Sequence, residues 1–387
     1  MKSPLFSKRV DAIEPPKIKV DFAEVRKPGV ISLSIGEPDF ETPWAIKQAG
    51  IEAIQNGNTF YADDMGLPKL REEIALYVKK RYGLDYDPQD EILVSVGASE
   101  AIDLAFRAFL NEEDEVIIPQ PAYNSYGPVV TLLGGKVVGV SLYEKNAFRL
   151  KAEDLEKVIT PRSKLLILNY PHNPTGAIME KEDLLPIAEI AKKHDLYVVS
   201  DEIYSELTYG KKHFSIAALP GMKERTIYIS GFSKAFAMTG WRLGYICAPK
   251  EAIAHMRKIH QYCTLASPTI SQYAAVEALH NGQDETDKMK RAYDERRHYL
   301  IKALKEMKLD CFAPEGAFYV FPCIKETGLS SDEFVDKLFK EEKLLFISGT
   351  GFGPLGEGYV RISYAYSLDK IKEGMARLSH FLSRHSR

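Results

Sequence analysis

Cysteine is scarce in this chain. Cys247, Cys263, Cys311 and Cys323 are the only four in 387 residues, and no two stand at a metal-knuckle or redox-pair spacing. They are expected to be reduced thiols, most of them buried, which excludes a disulfide framework as the organising device. A surplus of either charge is lacking too. Lysine and arginine number 51 against 54 acidic residues, and the formal net charge of -3 gives no electrostatic case for a nucleic-acid or anionic-membrane partner. No apolar run reaches the length of a membrane span. The opening stretch, Met1-Lys-Ser-Pro-Leu-Phe-Ser-Lys-Arg-Val10, has no apolar core of the kind a secretion signal needs, so the cytoplasm is the expected location. Internal repeats and low-complexity segments are missing, which excludes a repeat array.

What is present is a chain able to bury a large core. Hydrophobic residues make up 45% and charged ones 27%, which separates it from disordered chains. Its length suggests two or three domains. Short β-rich runs at 91–96, 115–119, 136–142, 164–169, 196–200, 226–230 and 243–248 alternate with helical patterns. Several runs are almost continuously apolar, as strands covered on both faces are. Amphipathic stretches such as 99–110 and 181–194 suit crossover helices. The expected fold class is α/β, a mostly parallel sheet with helices on both faces, joined to a smaller α+β domain. Residues 1–44 would form an N-terminal arm and part of the small domain, 45–285 the large cofactor-binding domain, and 286–387 the C-terminal small domain. The Pro-rich start, with Glu14-Pro15-Pro16, is expected to drape over a neighbour.

The candidate reactive residues follow strand ends, where open α/β sheets bind ligands. Gly97-Ala98-Ser99 opens a helix, and its free amides and dipole suit a phosphate. Tyr123 offers a ring, Asn173 an amide, and Asp201 and Tyr204 a carboxylate and a phenol. Lys234 follows the apolar run 226–229, and Arg242 lies eight residues on. A lysine serves carbonyl chemistry only when partly desolvated, so that neutral amine is available. Alone, each has a plainer reading: an Asp after a strand caps a turn, Arg361 in a strand satisfies a buried carboxylate, and Asn173-Pro-Thr-Gly176 is a good turn. Together they describe a cofactor pocket.

Seven segments, in order, carry a resemblance over nearly the whole chain. They are Ser32-Leu-Ser-Ile-Gly-Glu-Pro-Asp39, Tyr61 with Gly66-Leu-Pro-Lys-Leu-Arg71, Gly97-Ala-Ser-Glu100, Asn169 to Gly176, Ser200-Asp-Glu-Ile-Tyr204, Ser233-Lys234 with Arg242, and Arg361-Ile-Ser-Tyr-Ala365. The chain resembles the class I/II pyridoxal-phosphate aminotransferases of fold type I, most closely the prokaryotic aspartate, aromatic and N-acetyl-diaminopimelate aminotransferases. The resemblance implies pyridoxal 5'-phosphate as cofactor, joined to Lys234 as a Schiff base, with Lys234 then moving the Cα proton. It implies Asp201 on the pyridine nitrogen, with Asn173 and Tyr204 on the ring oxygen and Tyr123 stacked on the ring. Ala98, Ser99, Arg242 and the partner subunit's Tyr61 would hold the phosphate. Arg361 would grip the substrate α-carboxylate, helped by Asn173 and the Gly36 amide. The implied reaction is a ping-pong transfer from an L-amino acid, aromatic or N-acetyl-diaminopimelate-like, to a 2-oxo acid such as 2-oxoglutarate, in a homodimer. The alternative is a carbon–sulfur β-lyase or related fold type I enzyme, since such sites share these residues.

Two departures stand out. Many relatives carry a serine where this chain has Gly231, which leaves Ser230 or Ser233 as substitutes. Asp63 and Asp64 follow Tyr61, and at a pocket entrance they would disfavour a dicarboxylate such as aspartate. Two apparent motifs fail their context. Gly351-Phe-Gly353-Pro-Leu-Gly356 spells a dinucleotide fingerprint but leads into a strand, not a helix, and reads as a substrate-proximal loop. His255 and His260 do not share a helix face and are not expected to bind metal. His172 is either near the pocket or a solvent-exposed loop residue.

Overall fold

A computed structural model of the protein describes residues 6–15, 25 and 27–385. Much of the Pro-rich arm, including Pro16, therefore lies outside the described residues. In chain order the strands are β1 (Ile31–Ser32), β2 (Ile92–Ser95), β3 (Glu115–Gln120), β4 (Lys136–Ser141), β5 (Ser163–Asn169) and β6 (Tyr197–Asp201). There follow β7 (Thr226–Gly231), β8 (Gly244–Cys247), β9 (Tyr319–Val320), β10 (Leu344–Leu345), β11 (Ile347–Ser348) and β12 (Val360–Ser363).

Seven strands form one sheet in the order β2-β8-β7-β6-β5-β3-β4. β8 runs against both of its neighbours, and the other pairings are parallel. The α/β class with a mostly parallel sheet is what the structure shows, and each strand lies within a residue or two of its expected run. Alternation along the strands explains why both faces are covered. On β5, Leu165 and Ile167 pack into one core with Ala101, Ala105 and Phe106 of the helix Gly97–Phe109. Leu166 and Leu168 pack into another with Leu184, Ile187 and Ala188 of the helix Lys181–Lys193. That second helix starts on a capping box between Glu180 and Asp183.

The register aligns the ends that matter. Asn169 pairs beside Asp201, and Asp201 beside Ile229. Lys234 then follows on the short helix Phe232–Ala235. The remaining strands form smaller units: β1 pairs in parallel with β10, and β11-β12-β9 make an antiparallel sheet. Residues of β1, β9, β10 and β12 share a core with Phe334, Leu338, Leu378 and Phe381 of the helices Ser331–Glu342 and Leu368–His385. The first described strand thus joins elements near the end of the chain.

Of the thiols, only Cys247 is buried; Cys311 and Cys323 are half-buried and Cys263 is exposed, which corrects the expectation that most are buried. No described helix is long and apolar enough to cross a membrane. Among the described residues, no group of three or more His, Cys, Asp or Glu is placed to hold a metal.

One buried carboxylate ties the helix Pro68–Tyr82 to the segment after β6. Glu206 accepts from Arg81 at 2.5 and 3.0 Å and from the Tyr77 and Tyr82 hydroxyls at 2.5 Å each. Burial pushes its pKa up, but Arg81 and the phenols outweigh that and hold it below the usual carboxylate range. A folded pKa below the unfolded one stabilises above the unfolded value and is lost as pH falls. Glu206→Ala leaves a guanidinium and two phenols without their acceptor. It is expected to destabilise the fold by about 3 kcal/mol, read from the urea midpoint at neutral pH.

Candidate active site

Beyond the carboxyl ends of the parallel strands lies a cavity of about 380 Å³. Ala98, Ser99, Tyr123, Asn173, Asp201, Tyr204, Lys234 and Arg242 line it, together with Gly36 and Arg361. Of the residues to which the resemblance gives a cofactor or substrate contact, Tyr61 alone does not line it. Its side chain is 82% exposed, beside an equally exposed Phe60.

Lys234 reaches the cavity from the helix Phe232–Ala235, and its Nζ donates to the Gly36 carbonyl at 2.6 Å. Loss of water around the amine pushes its pKa down to about 8, with Arg361 and Arg242 adding repulsion against the pull of Glu37 and Asp201. A lowered pKa means more neutral amine near pH 7 than an exposed lysine offers.

Asp201 ends β6 and is buried. Its Oδ2 accepts from the Tyr126 hydroxyl at 2.6 Å and its Oδ1 from the Ile203 amide at 3.3 Å. Burial raises its pKa to about 6, while those two hydrogen bonds draw it back down. The carboxylate is therefore charged at neutral pH. Asn169 braces the same strand end, donating to the Asp201 carbonyl at 3.0 Å and accepting from the Asn173 amide at 3.1 Å.

Arg361 projects from β12 and is also buried. Its Nη1 donates to Asn173 Oδ1 at 2.9 Å and its Nη2 to the Ser34 carbonyl at 2.6 Å. Its guanidinium lies between two rings, 4.3 Å from the centroid of Tyr319 and 4.9 Å from that of Phe352. Nε is buried without a partner. A guanidinium has five N–H donors, so two are committed and three remain for an anion.

The helix Gly97–Phe109 opens on the cavity with no side-chain cap, which leaves its first amides free. Gly97 has φ 75°, and a Cβ there would come within 2.6 Å of Arg242 Nη2. A Cβ on Gly244 would approach the Ala98 amide nitrogen to 2.7 Å. Bare glycine backbone, free amides and a guanidinium make a cradle that fits a phosphate.

Other candidates sort themselves by position. Ser233 lines the cavity, whereas Ser230 donates to the Glu202 carbonyl, so Ser233 is the serine available beside Gly231. Asp63 accepts from the Met65 amide at 2.9 Å and Asp64 pairs with Arg257 at 2.8 Å. Neither acid lines the cavity of this chain, so the expected bias against aspartate finds no support there. His172 is neither exposed nor a cavity residue. It is buried behind the site, bonded to Thr175 at 2.7 Å and stacked on Tyr170, and burial pushes its pKa down to about 3. His260 is buried against Glu100 at 2.9 Å. Gly349–Phe352 and Pro354–Gly356 form two short 3-10 turns before β12, and Phe352 supplies one of the rings on Arg361.

Sequence reasoning missed Tyr126, which lies three residues after Tyr123 at the start of the helix Tyr126–Leu132 and holds Asp201.

Residues 28–378 match the sequence profile of the family described as aminotransferase class I and II. The chain belongs to the class I and II aminotransferases. An aspartate aminotransferase of Pyrococcus abyssi is 48% identical, and an aromatic-amino-acid aminotransferase of Thermococcus litoralis 46%, each over 97% of this chain and 98% of its own. The solved structure of an aromatic aminotransferase from Pyrococcus horikoshii superposes with a TM-score of 0.90 at 47% identity, over 92% of this chain and 96% of that one. The fold is therefore fold type I, and the cofactor of this aminotransferase is pyridoxal 5'-phosphate. The phosphate cradle, the charged Asp201 and the half-buried Lys234 are chemically suited to it.

Tyr126→Phe removes the shorter of the two hydrogen bonds that hold Asp201 down. The Asp201 midpoint is then expected to rise from about 6 by roughly one unit, which a carbon NMR titration of the cofactor-free chain with labelled aspartate measures.

Proposed function

We propose that this aminotransferase takes the amino group of an L-amino acid with an aromatic or N-acetyl-diaminopimelate-like side chain and gives it to a 2-oxo acid, 2-oxoglutarate, in a ping-pong cycle. The observation that carries this reading is Arg361, buried in the same cavity as Lys234 with Nε and two further N–H groups uncommitted. A planar fork of that kind suits an α-carboxylate bound in two places. Pyridoxal phosphate, when bound, supplies an aldehyde for the amino group and a ring that draws electrons from Cα.

This chain's residues do the rest. Lys234 would hold the cofactor through its aldehyde and, once the substrate's amino group has taken that place, its freed amine would take the proton from Cα and deliver it to the former aldehyde carbon. Asp201, charged at neutral pH, would pair with the ring nitrogen and keep its proton in place. Asn173 and Tyr204 would donate to the ring oxygen, and Tyr123 would cover a ring face. The Ala98 and Ser99 amides, Ser233 and Arg242 hold the phosphate, and the Gly36 amide helps Arg361 with the carboxylate. The exposed Phe60 and Tyr61, with Tyr262 at 91% exposure, suit contact with a second copy. In that homodimer, Tyr61 would complete the partner's phosphate site. Residues 1–44 and 286–387, taken as a small domain, would close on the carboxylate and exclude water from the cytoplasmic enzyme's cavity.

The cations lining the cavity are Lys234, Arg242 and Arg361. With these assigned to amine, phosphate and α-carboxylate, the distal carboxylate of 2-oxoglutarate, or of an N-acetyl-diaminopimelate-like donor, would be met by uncharged lining groups such as Ser34 and Asn124 or by the partner subunit. Ile35, Ile102, Tyr123 and Tyr319 also line the cavity and suit an aromatic side chain.

Lys234→Ala is expected to abolish the visible absorbance of lysine-bound cofactor and lower turnover by at least about a thousandfold; a variant turning over at the wild-type rate overturns the assignment. Arg361→Lys replaces a fork with a point charge. It is expected to raise the amino-acid KM about thirtyfold, the equivalent of about 2 kcal/mol, with cofactor affinity changed far less. Steady-state kinetics across a donor panel, with 2-oxoglutarate as acceptor, checks this effect and the donor class together.

A further inference from the structure

We propose that Tyr319 is a positioning residue that joins the substrate-carboxylate receptor to the phenol on the cofactor side, donating to Tyr204 through its hydroxyl and bracing Arg361 with its ring. The inference rests on the roles proposed above for Tyr204 and Arg361.

Tyr319 is 1% exposed, on β9 next to β12. Its hydroxyl is 2.8 Å from the Tyr204 hydroxyl, and the two rings meet edge to face at 5.8 Å. The face of the same ring lies under the Arg361 guanidinium at 4.3 Å. A Cβ on Gly36 would overlap the Tyr319 hydroxyl, so the backbone that accepts from Lys234 is pressed against it as well. One buried side chain therefore touches all three parts of the site.

Proton counting sets the direction of the bond. Each phenol has one proton to donate. If Tyr204 gives its proton to the cofactor's ring oxygen, the bond between the phenols is made with the proton of Tyr319. The result is a chain, Tyr319 to Tyr204 to the ring oxygen, in which the first bond strengthens the second. A stronger donor at the ring oxygen favours its deprotonated form and lowers the pH midpoint of the bound cofactor's absorbance. The titratable groups facing Tyr319 are Arg361, Tyr204, Tyr123 and Tyr366, with Lys234 across the Gly36 carbonyl.

The test is an absorbance titration of the pyridoxal-phosphate-loaded enzyme with pH. Tyr319→Phe, which keeps the ring, is expected to raise the midpoint by about half a unit, and Tyr204→Phe by more. Tyr364→Phe is the control. It removes another buried phenol of this region, bonded to the Ala317 carbonyl at 3.1 Å, and is expected to leave the midpoint in place. A midpoint unchanged in Tyr319→Phe but raised in Tyr204→Phe overturns this inference and leaves the proposed function standing. No shift in Tyr204→Phe overturns the role of Tyr204 itself. Equal shifts in Tyr319→Phe and Tyr364→Phe assign the effect to the sheet and also overturn the inference. The ring is tested by binding of hydrocinnamate, a carboxylate without an amino group. Tyr319→Leu is expected to weaken it about fivefold and Tyr319→Phe hardly at all; equal affinities in the two variants overturn the bracing role.

Discussion

The hydrogen-bonded register between β5, β6 and β7 is the constraint on which the site depends. It sets Asn169 beside Asp201 and Asp201 beside Ile229. Side chains alternate between faces along a strand, so a slip of one residue would turn Asp201 away from the cavity and put Ser200 or Glu202 in its place. The two cores enforce the register, because Leu165 and Ile167 belong to one and Leu166 and Leu168 to the other. Apolar packing with no chemistry of its own thereby decides where the carboxylate points.

Keeping Asp201, Arg361 and Lys234 charged around one cavity requires partners that do not consume the charge. Asp201 has a phenol and an amide, which hold it ionised without neutralising it. Arg361 has an amide oxygen, a carbonyl and two rings, and no carboxylate among its hydrogen-bond partners. Lys234 has a carbonyl. Neutral partners orient a charge and leave its field available to a ligand, whereas an ion pair would spend it within the protein. The contrast with Glu206, which is locked to Arg81 and does not line the cavity, separates a structural charge from an available one.

Much of this was legible in the sequence because strands covered on both faces write themselves as apolar runs and ligand residues follow their ends. Lys234, Asp201, Asn173 and Ala98 all lie at such ends. Tyr126 and Tyr319 were not assigned because a tyrosine carries no local mark of its partner, and this chain has 21 of them. Asp63 and Asp64 show what a loop sequence leaves out: their partners, the Met65 amide and Arg257, one of them distant in sequence, appear only in the fold. The half-buried Cys311 and Cys323 make the same point, since burial is a property of neighbours and composition supplies only its average.

The pairing of β1 with β10 orders events in time. Ile31 and Ser32 cannot find Leu344 and Leu345 until nearly all of the chain has left the ribosome. The seven-stranded sheet is complete once Cys247 has emerged, and by then the chain already holds Ser99, Asp201, Lys234 and Arg242. Arg361 comes later, and one of its anchors, the Ser34 carbonyl, follows the strand that has been waiting since the start. A nascent chain can therefore present its cofactor residues together before it has a receptor for substrate.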